Sequence, residues 1–221
     1  MAIITIDGPA GAGKSTVSRM LARRLNYVYL DTGAMYRAVA LEVLKEGIDP
    51  GDEKALERLC EEIAISFAED SRGQRIRCQG EDVTEQIREP EVSWMASTVS
   101  MKRPVREAMV ALQRKMGAQG RLVAEGRDTG TVVFPRADTK FFLVADPGER
   151  ALRRFRELRA QGKEAKPEEV EEEVRRRDDQ DSSRDLSPLK PAEDAHLIDS
   201  TGVTPEEVVE RILEVLGRSV P

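Results

Sequence analysis

The stretch GPAGAGKST, residues 8–16, constrains this chain more than any other part of it. Gly8, four residues, then Gly13-Lys14-Ser15 spell G-x-x-x-x-G-K-[ST], a phosphate-cradling turn that works between a strand and a helix. Both neighbours are legible. AIITID (2–7) is a short apolar run with β-branched residues, a buried-strand pattern. KSTVSRMLARRL (14–25) repeats Val17, Met20, Leu21 and Leu25 at helical spacing, with Arg19, Arg23 and Arg24 mostly opposite. The glycines let the backbone wrap a phosphate with its N–H groups aimed inward, and the helix N-terminus adds partial positive charge. Gly8, Pro9, Ala10, Gly11, Ala12, Gly13, Lys14, Ser15 and Thr16 are therefore the expected contacts of a nucleoside triphosphate. Lys14 is expected to reach the β- and γ-phosphates and Ser15 to ligate the accompanying Mg2+.

The rest of the chain continues the alternation. YVYLD (27–31), RLVAEG (121–126), TKFFLVAD (139–146) and AHLIDS (195–200) read as strands, the second and third of these ending in an acid. A helix is expected from about Gly33 to a stop at Gly47, and another over 52–64. Further helices follow in VSWMASTVS, from 102–104 to Met116, and in PGERALRRFRELRAQG with Leu152, Phe155 and Leu158 as its apolar stripe. TPEEVVERILEVLG begins with Thr204 as N-cap, Pro205 and a capping-box Glu207. Five strands joined mostly through helices imply an α/β fold, a P-loop core whose parallel sheet is flanked by helices. AISFAED and QRIRCQG around SRG break the pattern and predict a β-hairpin insertion, with Ile65/Phe67 and Ile76/Cys78 alternating.

Composition excludes several classes. The 221 residues suit one domain with insertions. A net charge of −6 and 4 % aromatics argue against nucleic-acid binding. No stretch is long enough to span a membrane, and the chain enters a strand without a basic leader, so a cytoplasmic protein is expected. Cys60 and Cys78 have no metal or disulfide spacing and are expected to be half-buried thiols, and His196 to be structural. Nothing suggests a dimer seam, so a monomer is expected. A regulatory GTPase would need N-K-x-D, which is missing, and a motor ATPase would usually be larger. A small kinase remains, whose second substrate the rest of the chain must bind.

Two segments point to that substrate. LDTGAMYR (30–37) leaves the second strand with the Thr32 hydroxyl, and Arg37 sits four residues into the helix. AEGRDTGTVVFP (124–135) places Arg127-Asp128 between Gly126 and Gly130, the pattern of a loop that closes on a ligand. A third segment, EEEVRRRDDQDSSRD (171–185), has the composition of a solvated helix, with Glu171–Arg175, Glu172–Arg176 and Glu173–Arg177 at i,i+4. Yet Val170, Val174, Arg177, Asp181 and Arg184 share one face if the helix persists, so the stripe turns from apolar to charged. Arg175, Arg176, Asp178 and Asp179 are expected to serve solubility and pairing.

ITIDGPAGAGKST, LDTGAMYR, GRDTGTVVFP and RRRDDQDSSRD, in this order and spacing, resemble the bacterial cytidylate kinase family over essentially the whole chain. The resemblance implies a nucleoside monophosphate kinase with a core (1–31, 101–146 and 188–221), a monophosphate-binding region with an insertion (32–100) and a short helical lid (147–187). It implies ATP with Mg2+, and CMP or dCMP as acceptor. By position, Arg37 and Arg127 would hold the monophosphate; Ser97, Arg106 and Asp128 would read the cytosine; Thr32, Arg177 and Asp181 would contact the pentose; Arg184 would come from the lid. Thr32 stands where the family carries serine, and the hydroxyl is kept. Arg153 or Arg154 would stack on adenine or reach its phosphates. Lys14, Arg127, Arg177 and Arg184 are the expected catalytic cations. Such an acceptor needs no general base, because a phosphate monoester with a second pKa of about 6 is already ionised at neutral pH. UMP, shikimate or dephospho-coenzyme A kinases on the same core are the rival specificities, and a non-catalytic nucleotide switch is the rival class.

Overall fold

The computed structural model describes residues 2–70, 73–160, 162–184 and 186–218, with the Arg218 side chain left out. In chain order the elements are β1 (Ile3–Asp7), α1 (Lys14–Leu25), β2 (Val28–Asp31), α2 (Thr32–Glu46), α3 (Glu53–Glu62), β3 (Ile65–Asp70), β4 (Gly73–Cys78), β5 (Glu81–Asp82), α4 (Pro90–Val99), α5 (Arg103–Met116), β6 (Leu122–Gly126), β7 (Thr139–Val144), α6 (Pro147–Ala160), α7 (Pro167–Ser182), β8 (Ala195–Asp199) and α8 (Pro205–Arg218). A 3-10 turn spans Gln86–Arg88 and a π-helical turn Thr129–Val133. Ser71 and Arg72 of the expected hairpin turn, and Asp185 at the end of the charged motif, lie outside the described residues.

The chain forms two compact units, 1–30 with 117–221, and 31–116. The first holds a five-stranded sheet in the order β2-β6-β1-β7-β8. β1 pairs in parallel with β6 and β7, and β7 in parallel with β8. The strand period of two sends Ile4 and Ile6 to one face with Val123, Phe141, Leu143 and Ile198. Val17 and Leu21 of α1 and Val208, Val209 and Ile212 of α8 cover that face. Thr5 and Asp7 alternate to the other side and are buried too.

α8 starts as its sequence requires. The Thr204 hydroxyl accepts from the Glu207 N–H at 3.3 Å, and the Glu207 carboxylate accepts from the Thr204 N–H at 2.9 Å. Thr204→Ala therefore lowers stability by about 1 kcal/mol, read in a thermal melt as a fall of roughly 2–4 °C; an unchanged midpoint would remove the cap's contribution.

The second unit packs α2 on α4 and α3 on α5. α5, expected with the core, belongs to this unit by its packing. The predicted hairpin forms with Ile65 opposite Cys78 and Phe67 opposite Ile76. β5 adds a third strand the sequence reading lacked, since two residues carry no alternation to read. α3 is shorter than the expected 52–64, because Asp52 is its N-cap and Ile63 turns extended.

Two apolar expectations change. Leu152 is 40 % exposed; Leu158 is buried as expected, and Arg150 and Ala151 complete the inward face of α6. Cys78 is fully buried, while Cys60 is half-buried; burial pushes both thiols up to about 11. His196 lies exposed on β8 with its ring 5.6 Å from Phe141. No described helix is long and apolar enough to cross a membrane.

Candidate functional site

The 8–16 turn is tied down by side chains from within and from outside it. Lys14 Nζ donates to the Pro9 carbonyl at 2.7 Å, Arg150 to that of Ala10 at 3.2 Å, and the Ser200 hydroxyl to that of Ala12 at 3.0 Å. With these carbonyls satisfied by side chains, the turn's shape is held against the end of β1. Glycine is obligatory at two points. A Cβ on Gly8 (φ +147) would lie 2.1 Å from the Leu143 carbonyl oxygen, and one on Gly11 (φ +76) 2.9 Å from the Arg150 Cβ and carbonyl oxygen. Gly13 serves as N-cap of α1 with no side-chain hydrogen bond and no acid in the first turn. The positive end of α1 is thus not neutralised by its own sequence. Ser15 and Thr16 are exposed there.

Two arginines act on Lys14 near this turn. Lys14 is buried, and burial drives its ammonium well below the usual lysine value; Arg127 pushes it down further and Arg177 adds to this, while Glu125 and Asp7 oppose. Glu125 accepts a hydrogen bond from the Tyr29 hydroxyl. Asp7 is itself buried, which raises its pKa, against the lowering effect of hydrogen bonds from Gly130 and Thr129.

The charged stripe of α7 forms as its spacing predicts as far as Asp181, while Arg184 lies two residues past the helix end. The helix persists to Ser182, with Val170, Val174 and Asp181 buried and Arg177 half-buried. Asp181, 1 % exposed, accepts from Arg127 Nε at 2.7 Å through one oxygen and from Arg184 through the other. Asp181 on α7, Arg184 just past its end and Arg127 from the β6 end are therefore brought together, with Arg127 and Asp181 54 positions apart in sequence. Asp178, expected among the residues of solubility and pairing, does pair, but with the buried Arg150 at 2.7 Å and not at the surface. Arg175 is exposed and pairs with Glu172, three residues before it, not with Glu171.

Asp128 is buried beside Arg127 and precedes the π-helical turn, where an open ligand-closing loop was expected. Of the two α6 arginines left open by sequence, Arg153 lies by the turn. Its guanidinium is 3.8 Å from where a Cβ on Gly13 would stand, held by the Ser200 carbonyl at 2.6 Å and Glu149 at 2.9 Å. Arg154 pairs with Glu157 at 3.0 Å.

The second unit collects the remaining candidates. Asp31 caps α2, accepting from the Ala34 N–H at 2.7 Å, and its other oxygen takes Arg37 at 3.3 Å. Thr32 is buried in the first turn of the same helix. Arg106 is buried over the Tyr36 ring, 5.9 Å from its centroid, and donates to the Ser100 carbonyl at 3.3 Å. The Ser100 hydroxyl in turn donates to the Ser97 carbonyl at 2.8 Å. Ser97 is 7 % exposed.

A family model described as cytidylate kinase matches residues 4–218. The chain belongs to the cytidylate kinase family. It is 51 % identical over 218 residues to a cytidylate kinase of Geobacter sp. (strain M21), covering 99 % of this chain and 92 % of the relative. It is 52 % identical over 215 residues to a cytidylate kinase of Carboxydothermus hydrogenoformans, covering 97 % of each. Among solved structures, an uncharacterized protein from Eubacterium ventriosum covers 98 % of this chain and 99 % of its own at TM-score 0.54 and 12 % identity, a likeness of fold.

Four residues of this cytidylate kinase family chain escaped the sequence reading. Arg150 and Ser200 brace the glycine turn, Glu125 faces Lys14, and Tyr36 carries Arg106. Glu125 had a visible signal, an acid closing a buried strand. The other three look like ordinary helix or loop residues, because their partners lie in distant sequence.

Proposed function

We propose that the chain transfers the γ-phosphoryl group of ATP to CMP, and to dCMP, giving ADP and CDP or dCDP. The observation that carries this reading is the placing of Arg127 and Arg177 within electrostatic reach of Lys14, beside an N-terminally uncapped helix, in a chain matched to this family over 4–218. Mutual repulsion of these cations is relieved by a polyanion, and the same charges stabilise the transferring group. The 8–16 turn acts as a P-loop for the ATP phosphates, with Arg153 beside it. Ser15, an exposed hydroxyl in the first turn of α1, suits Mg2+, which takes one or two protein oxygens and completes its shell with phosphates and water. Bound there, the ion would supply charge neutralisation between the two phosphates.

The CMP phosphate is assigned to Arg37 and Arg127, the cytosine edge to Ser97, Arg106 and Asp128, and the pentose to Thr32, Arg177 and Asp181, with Arg184 contributing from residues 147–187 as a lid. An oxygen of the ionised CMP phosphate attacks the γ-phosphorus as the bond to the ADP oxygen breaks. No side chain needs to remove a proton. The lid's task is to exclude water, which would otherwise take the phosphoryl group. The enzyme acts as a monomer.

A coupled ATP assay over CMP, dCMP, UMP, AMP and shikimate tests this. CMP and dCMP are expected to give the highest kcat/KM. Turnover of shikimate or AMP with none on CMP would sink the reading, as would slow ATP hydrolysis indifferent to CMP.

A further inference from the structure

We propose that Asp7 is a positioning residue for CMP, a long-range cap that fixes the Asp128–Gly130 backbone from the end of β1. The proposal rests on the reading of Arg127 and Asp128 as CMP contacts and assigns a residue that acts through them.

The geometry is complete on its own. One carboxylate oxygen of Asp7 accepts from the Thr129 N–H at 2.9 Å and the Thr129 hydroxyl at 2.7 Å. The other accepts from the Gly130 N–H at 2.7 Å. These two amides open the π-helical turn Thr129–Val133, and the first N–H groups of a helical turn have no partner within it. The turn is secured internally by the Val133 N–H on the Asp128 carbonyl at 3.2 Å and the Phe134 N–H on that of Thr129 at 2.7 Å. Such i→i+5 turns are rare and frequently lie at functional sites. A neighbouring residue would ordinarily cap the turn, but Asp128, at the N-cap position, makes no side-chain cap hydrogen bond. Asp7 caps it in its place from 122 residues away.

That substitution has a use. A carboxylate that caps its own turn is committed to the backbone, whereas here Asp7 supplies the cap and the turn does not draw on the Asp128 carboxylate. Asp7 is well placed to serve, because it stands opposite Gly126 in the β1–β6 register, so both ends of the Gly126–Gly130 segment are referred to the sheet. The approach is close: a Cβ on Gly130 would lie 2.8 Å from the Thr5 hydroxyl and 3.4 Å from the Asp7 carboxylate. Asparagine at position 7 keeps the size but turns an N–H group toward one of these amides, and the clamp fails.

The test uses the full chain. Asp7→Asn is expected to raise KM for CMP roughly tenfold, the loss of a hydrogen bond to a charged group. KM for ATP is expected to change by less than about twofold, and in an Asp128→Ala background Asp7→Asn adds less than about twofold to the CMP KM, since the two act as one unit. Amide exchange at Thr129 and Gly130 is expected to quicken by about tenfold while β1 stays protected. Equal losses for ATP and CMP, or the same loss in both backgrounds, would overturn the proposal. Should Asp7→Asn not fold, Thr129→Val removes only the hydroxyl's bond and is expected to give the same CMP-selective rise at smaller size, about threefold; an unchanged CMP KM there overturns it. Failure of the underlying reading looks different: Asp128→Ala alone then leaves CMP use intact, whereas failure of the Asp7 proposal leaves the two amides as slow in Asp7→Asn as in the parent chain.

Discussion

Lys14→Met lowers kcat roughly 100- to 1,000-fold, the scale of removing one preorganised charge from a phosphoryl-transfer site, while the fold is kept. The stability result has an unusual sign. Lys14 is buried among Arg127 and Arg177, and its ammonium sits well below its usual pKa. Between the folded and unfolded pKa values the unfolded chain binds more protons, so stability rises with pH across that window and levels off above the unfolded value. Below the folded value both states carry the proton and the burial penalty is present in full. Methionine, of similar length and uncharged, removes that penalty. The nucleotide-free variant is therefore expected to melt no lower than the parent and to lose this alkaline rise. Denaturant titrations across the pH range measure the rise directly. Near-normal turnover in Lys14→Met would remove the phosphate-loop assignment; a retained alkaline rise would remove Lys14 as its source.

Asp181→Ala combines the next largest loss of activity with the largest loss of stability. Asp181 is 1 % exposed and holds Arg127 through one oxygen and Arg184 through the other. Removing it leaves two arginines without this shared carboxylate in a poorly hydrated setting, at a cost of roughly 3–5 kcal/mol. With both guanidinium groups released from their positions, kcat/KM for CMP is expected to fall about 100-fold or more. Asp179→Ala, at an exposed position of the same helix, should stay within about 0.5 kcal/mol of the parent. Denaturant unfolding together with initial rates at varied CMP separates the effects. A destabilised variant with unchanged CMP kinetics would reduce Asp181 to a structural ion pair.

The α7 segment shows how sequence and structure share the information. Its composition reads as solvated helix, and Arg175 and Asp179 are indeed exposed. The helical period also placed Val170, Val174, Arg177, Asp181 and Arg184 on one stripe; the helix stops at Ser182, yet the structure brings Asp181, Arg184 and Arg127 together. What no period could supply was the partner of Asp178, because Arg150 lies on another helix and looked like one more arginine of a charged run. Leu152 failed for the same reason in reverse: α6 turns Arg150 inward to brace the glycine turn, and the apolar residue next to Ala151 faces out.

Local rules determined a good deal of this protein unaided. The glycine-lysine turn, the capping box at Thr204, the alternation of the hairpin and the order of strands and helices all depend on neighbours within a few positions. Tertiary structure alone decided the bracing carbonyl contacts of Arg150 and Ser200, the descent of Lys14's pKa and the capping of the 129–133 turn by Asp7. Those depend on burial and on pairs up to 188 residues apart. Dihedral preference and hydrophobic period act along the chain and can be read from it, whereas desolvation and long-range hydrogen bonds act through space and exist only once the parallel sheet has set its strands side by side.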